Sequence, residues 1–110
     1  MAKDINQVVL VGNLVADPEF FERNGRTSAK LLVATGKVPS RHDFDDDEDD
    51  HFARKETVIT EVRVHVNHIV DLCERLLKGD RVVVGGELRH TRQKSYVILL
   101  APQARFYKVD

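Results

Sequence analysis

The chain has no tryptophan, a single cysteine, three prolines and no apolar run approaching the length needed to cross a bilayer. The lone Cys73 excludes an internal disulfide. Its place in an apolar stretch of helical spacing marks it as a buried small hydrophobe in a reducing compartment rather than a reactive thiol. Without paired cysteines a structural zinc site lacks its usual ligands. Also missing are a phosphate-cradling glycine loop, an H-E-x-x-H pair and a nucleophile elbow, so enzymatic chemistry finds no footing. The opening MAKDINQ has neither the apolar core of a secretory signal nor the Arg-rich, acid-poor character of a transit peptide. These absences lead to an expectation of one cytoplasmic domain over residues 1–110, with no cofactor, no metal and no membrane partner. An apolar content of 42% suffices for a single modest core.

Charge is abundant but unevenly placed. Seven of the 18 acidic residues fall between Asp43 and Asp50, so 17 basic residues face 11 acidic ones in the rest of the chain, an excess of six. That excess can steer an anionic partner toward the face that collects it. The segment 38–55 holds the acidic run, lacks periodicity and is expected to be a disordered loop. His42 and His51 flank the carboxylates, yet a calcium loop is excluded: Glu48 stands where glycine is needed and Arg54 where the bidentate Glu belongs.

Around that loop the pattern is that of short strands. Gln7 to Leu14 is rich in β-branched residues, and the chain is broken at Asp17-Pro18. Asn24-Gly25 tolerates positive φ, and Thr27 to Thr35 follows with Ala29, Leu31 and Val33 on one face, predicting a hairpin of these first two strands with a long polar connection. From Glu56 to Val66 the even positions Val58, Thr60, Val62, Val64 and Val66 are apolar or small, while Glu61, Arg63 and His65 occupy the other face. Asn67 is a candidate cap for a helix of about three turns, in which Ile69, Val70, Leu72, Cys73, Leu76 and Leu77 recur before Lys78-Gly79 ends it. Arg81 to Leu88 is a fourth strand, whose Gly85-Gly86 marks a bulge or close backbone approach. Arg89 to Ser95 is a polar connection, and Tyr96 to Ala101 the fifth strand. Five strands with one helix between the third and fourth is the order of an all-β OB-fold, a five-stranded Greek-key barrel. An α+β sheet covered by one helix is the structural competitor.

Particular residues carry more than this order. Ile5-Asn6-Gln7-Val8-Val9-Leu10-Val11-Gly12-Asn13-Leu14, Asp17-Pro18-Glu19, Asn24-Gly25 and Leu32-Val33-Ala34-Thr35 resemble the opening of the bacterial-type single-stranded DNA-binding protein (SSB) family. So does the second half, with Leu77-Lys78-Gly79-Asp80 and the run from Val82 through Gly86 to Leu88-Arg89. The resemblance implies a non-enzymatic OB barrel that binds single strands with little sequence preference in DNA replication, recombination or repair. It also implies assembly as a homodimer or homotetramer. The chain stops at Asp110 without the family's usual linker and acidic tip, so a tail-less member is expected.

Single-strand binding needs a cationic groove for phosphates and rings for bases. The contact residues expected are Lys30, Lys37, Arg63, His65, Arg89, Arg92, Lys94 and Tyr96, with Arg23 and Arg26 extending the path. The bland alternative for each is a solvated surface charge. The family's usual tryptophan positions hold residues such as Pro39, Ile59 and Gln93, while a usual phenylalanine position holds His65. At about 1 to 3 kcal/mol per stacked base, this loss weakens binding by orders of magnitude unless His65, Phe20, Phe21 or Tyr96 compensates. The expected partner is single-stranded DNA, with RNA left open. The run Asp43 to Asp50 is read three ways: as a solubilising loop, as a mobile anion competing for the basic groove, or as a docking segment for replication or repair proteins. In the last reading the protein is an OB-fold interaction module with weak nucleic-acid binding.

Overall fold

A computed structural model describes residues 4–36 and 57–110. Among these described residues, seven strands and one helix follow in the order β1 (Val8–Leu14), β2 (Glu19–Arg23), β3 (Arg26–Thr35), β4 (Val58–Val64), α1 (Asn67–Cys73), β5 (Arg81–His90), β6 (Ser95–Leu99) and β7 (Arg105–Val109). The strands hydrogen-bond in the order β1-β3-β4-β6-β5, and β5 pairs back onto β1 from Asn13↔Arg81 to Val8↔Gly86. That closes a five-stranded barrel, with β4 and β6 parallel and α1 between the third and fourth barrel strands. It is the OB architecture expected from the strand order.

Strand alternation decides what fills it. Ala29, Leu31 and Val33 from β3, Val62 and Val64 from β4, Val82 and Val84 from β5, and Val97 and Leu99 from β6 all turn inward and are buried. Each fully buried Val or Leu side chain contributes about 1.5–3 kcal/mol. From α1, Ile69, Val70 and Cys73 cap this core, while Leu72 stays exposed. Cys73 is inaccessible, and burial pushes its thiol up to about 12, as expected for a packing residue. The Gly86 backbone lies so near β6 that a Cβ would overlap the Ile98 carbonyl, so the close approach read from Gly85-Gly86 is real.

Several elements differ from expectation. β2 and β7 are additional strands that flank the barrel: β2 pairs with β3, and β7 runs along β5. Asn24 (φ 54°) and Gly25 (φ 77°) form the two-residue loop of the β2–β3 hairpin rather than part of a long β1–β3 connection. Neither strand alternates cleanly in sequence: β2 is exposed throughout and rests on backbone pairing, and β7 turns only Phe106 toward the core. The helix is shorter than predicted, and Asn67 is not its cap: Val66 occupies that position with no side-chain hydrogen bond. Beyond Cys73 the helical bonding tightens, with the N–H of Arg75 donating to the Leu72 carbonyl and that of Leu76 to Cys73. This tighter turn drops Leu76 into the core and brings Gly79 and Asp80 back to β1, where the Leu14 N–H donates to the Asp80 carbonyl. Arg89 and His90 extend β5, shrinking the predicted 89–95 connection to a turn over residues 91–94. The acidic run Asp43 to Asp50, its flanking His42 and His51, and Lys37 lie outside the described residues.

Candidate functional site

The alternation that sends Ala29, Leu31, Val62, Val64 and Val97 inward sends Ser28, Lys30, Glu61, Arg63, His65 and Tyr96 outward. Register then sets these side chains beside one another. Lys30 is opposite Arg63, Leu32 is opposite Glu61, and Glu61 is level with Tyr96 on the parallel strand β6. Phe21 faces Ser28 across the β2–β3 hairpin. Lys94 arrives from the β5–β6 turn, where the Thr91 hydroxyl accepts hydrogen bonds from the Gln93 and Lys94 N–H groups at 3.2 and 3.3 Å and holds the turn in shape. Residues 21, 30, 63 and 94, remote in sequence, therefore line one hollow of about 380 Å³ together with Arg23, Ser28, Glu61 and His65.

Glu61 organises it. The carboxylate is 6% exposed, beneath its cations. It accepts from Lys94 Nζ at 2.6 Å and from Arg63 Nε at 2.6 Å, and Lys30 Nζ lies 3.8 Å away. Burial raises its pKa, but the Lys94 and Arg63 hydrogen bonds and charges outweigh that and hold it below the usual carboxylate value. Lys30 is shared with the exposed Glu19, whose carboxylate lies 3.7 Å from its Nζ, so three cations face two carboxylates and the cluster keeps one net positive charge. Arg63 spends only Nε on Glu61, and its guanidinium lies 3.8 Å from the Tyr96 ring centroid. Lys30, Arg63 and Lys94 remain partly exposed above Glu61, so their remaining donors face solvent. His65 is exposed and shares a 3.1 Å hydrogen bond between its Nδ1 and Ser28 Oγ. Partial burial and the Arg63 charge depress its pKa, which keeps the imidazole neutral at pH 7.

Of the residues expected from sequence, Lys30, Arg63, His65, Lys94 and Tyr96 are brought together. Arg89 lies opposite Tyr96 but is paired with Glu87 at 3.1 Å, on a strand rather than in a loop. Arg92 is exposed in the turn that carries Lys94. Sequence reasoning saw Glu61 only as one polar residue of a wet face; its i, i+2 spacing from Arg63 was the available signal, while Lys94 joined it through folding alone. Among the described residues no group of three or more His, Cys, Asp or Glu side chains is placed to hold a metal ion, and no helix is long and apolar enough to cross a membrane.

A hollow with an excess of fixed cations and donors aimed outward suits polyanion backbones, not acid–base chemistry. The model of the single-strand binding protein family matches residues 5–96. Among solved structures, the chain superposes on the SSB of Plasmodium falciparum in complex with ssDNA with a TM-score of 0.75 at 23% identity, covering 100% of this chain and 99% of that one. It superposes on the mitochondrial single-stranded DNA-binding protein Rim1 of S. cerevisiae with a TM-score of 0.68 at 16% identity, covering 97% and 96%; at these identities the likeness is one of fold. The wild-type single-stranded DNA-binding protein of Thermus aquaticus is 26% identical with a TM-score of 0.68, but the 96% of this chain that aligns spans only 41% of that longer protein. No curated protein sequence matches the chain.

Proposed function

The chain belongs to the single-strand binding protein family, and from that membership we propose that it binds single-stranded DNA through the outer face of β3, β4 and β6, without sequence preference and without catalysis, in DNA replication, recombination or repair. The observation that carries this reading is the Glu61-centred cluster, which holds Lys30, Arg63 and Lys94 on one open hollow. Phosphates accept from the free donors of these three residues and release counterions as they do so. Arg89 and Arg92 continue the cationic surface toward the β5–β6 turn, and Lys37 follows β3. Action in the cytoplasm, at the nucleoid, goes with this reading. In a titration of labelled oligo-dT followed by anisotropy, binding is expected to weaken with salt, with a log–log slope near −2 for about three phosphates. A salt-independent affinity, or no binding at 20 mM salt, would refute it.

The same reading includes self-association. On the far side of the barrel, Val11, Val83 and Tyr107 sit level with one another on β1, β5 and β7. Val11 is 44% and Tyr107 58% exposed, with Val9 on the same face 60% exposed. Such a row supports packing against a second copy, as a dimer or as half of a tetramer interface.

A further inference from the structure

Among the described residues β2 hydrogen-bonds to β3 alone and is exposed throughout, so its other side offers backbone groups to any strand able to pair with it. Phe21, 51% exposed and outside the core cluster, is unexplained by packing within the chain. The hairpin fixes which groups are on offer. Its two-residue loop, Asn24 and Gly25, makes Arg23 and Arg26 a hydrogen-bonded pair, and by alternation Phe21 and Glu19 also bond toward β3. The N–H and C=O groups of Phe20 and Glu22 therefore point away from the barrel.

We propose that this edge pairs antiparallel with the same edge of a second copy, about a two-fold axis through Phe21. Other registers that also bring the outward groups face to face fail. Setting Phe20 opposite Phe20 puts Glu22 opposite Pro18, which has no N–H to donate. Setting Glu22 opposite Glu22 opposes like charges and places Phe20 against Asn24 in the turn. Centred on Phe21, Phe20 of each copy exchanges both backbone hydrogen bonds with Glu22 of the other. The residues between them meet as non-hydrogen-bonded pairs, whose side chains approach most closely: Phe21 on Phe21, and Glu19 on Arg23 at either end. The run Glu19-Phe20-Phe21-Glu22-Arg23 is thus complementary to itself. The contact uses no residue of the Val9, Val11 and Tyr107 row. So short an edge holds weakly by itself and forms chiefly where copies are crowded. Paired residues share a face of the joined sheet, so both cationic hollows, each lined by Phe21 and Arg23, open on one side. On the nucleic-acid reading above, a bound strand then passes from one copy to the next; the pairing itself does not depend on that reading.

A covalent trap without nucleic acid tests it. Phe21→Cys sets two thiols across the axis on Cα atoms about 4.5 Å apart, within disulfide reach, whereas Phe20→Cys sets them roughly 9 Å apart, beyond it. The buried Cys73, its thiol pushed up to about 12, stays out of the reaction. With oxidised glutathione as oxidant, Phe21→Cys should collect as a disulfide-linked dimer about tenfold faster than Phe20→Cys, or more. Adding Glu19→Arg to Phe21→Cys opposes two arginines at each end and should slow the dimer about threefold to tenfold, although the added charge favours the thiolate. Adding Arg23→Glu as well should restore the rate. Circular dichroism should show every variant folded, since β2 lies outside the core. Equal rates for the two cysteine variants, no dimer from either, or a charge reversal without slowing and rescue would overturn the pairing and leave the nucleic-acid reading standing. Failure of oligo-dT to bind the parent would do the converse.

Discussion

Two outer faces of one barrel have opposite surfaces. On β3, β4 and β6 the outward residues include Ser28, Lys30, Glu61, Arg63 and Tyr96, whose charges are paired or stacked, with Ile59 the one large apolar side chain left exposed beside them among the described residues. On β1 and β7 they include Val9, Val11 and Tyr107, apolar and open. The strands differ in kind. β4 alternates apolar and polar residues, the pattern of a sheet wet on one side. The run Val8-Val9-Leu10-Val11 does not alternate, the pattern of a strand covered on both sides, yet the isolated barrel covers only one. The first face is ordered by contacts within the chain, whereas the second leaves Val9, Val11 and Tyr107 exposed, a contrast that fits the proposed division into a ligand face and an assembly face.

Three variants sharpen that division. The largest effect is expected from Arg63→Gln with Lys94→Gln, which keeps hydrogen-bond donors near Glu61 but removes two charges. Oligo-dT affinity should fall on the order of several hundredfold, and the salt slope should flatten by about 1.4, two phosphates' worth. Light scattering should show the oligomeric state unaltered; a changed mass would mean that the two faces are not independent. Next is Val11→Asp, which buries an unpaired carboxylate if a second copy packs there. Self-association should weaken by about a hundredfold or more while short oligonucleotides bind within twofold of the parent. An unshifted oligomer mass would place the interface elsewhere.

The smallest effect is the most diagnostic. Glu61→Gln removes a negative charge from a site that binds an anion, so charge alone predicts tighter binding. Preorganisation predicts the reverse: three cations freed from their common anchor spread apart, and binding should weaken about threefold to tenfold. Tighter binding would show that Glu61 masks the site instead of ordering it. The pH dependence gives a second check. The folded-state pKa of Glu61 is depressed below its ordinary 4.5, so its stabilisation is present above that value and is lost as pH falls through the folded pKa. The urea midpoints of parent and Glu61→Gln should therefore differ most at neutral pH and converge in acid.

Much of the fold was legible because its strands have one buried face. Ala29, Leu31 and Val33, then Val62 and Val64, announce themselves at period two, and all are buried. β2 has no such face: it is Glu19-Phe20-Phe21-Glu22-Arg23, exposed throughout, and it exists because the Asn24-Gly25 turn folds it back onto β3, while β7 offers only Phe106 to the core. The end of α1 was misjudged for a related reason. Leu76 and Leu77 continue the helical spacing, but the tie between Leu14 and Asp80 requires a tighter turn there. Within the site, Lys30, Arg63, His65, Lys94 and Tyr96 were found by charge, ring and strand position. The central role of Glu61 was not, because its partner Lys94 lies 33 residues away and reaches it only through the parallel pairing of β4 with β6.

Composition and periodicity by themselves determined the barrel strands, the basic excess outside one acidic run and the scarcity of rings for stacking, since each is a property of neighbouring residues or a sum over the chain. Which cations share an anion, which residues flank Ser28 on the neighbouring strands, and which apolar row is left uncovered were decided only by the tertiary structure. Register between distant strands sets those distances, and a shift of one residue would turn every one of these side chains to the opposite face.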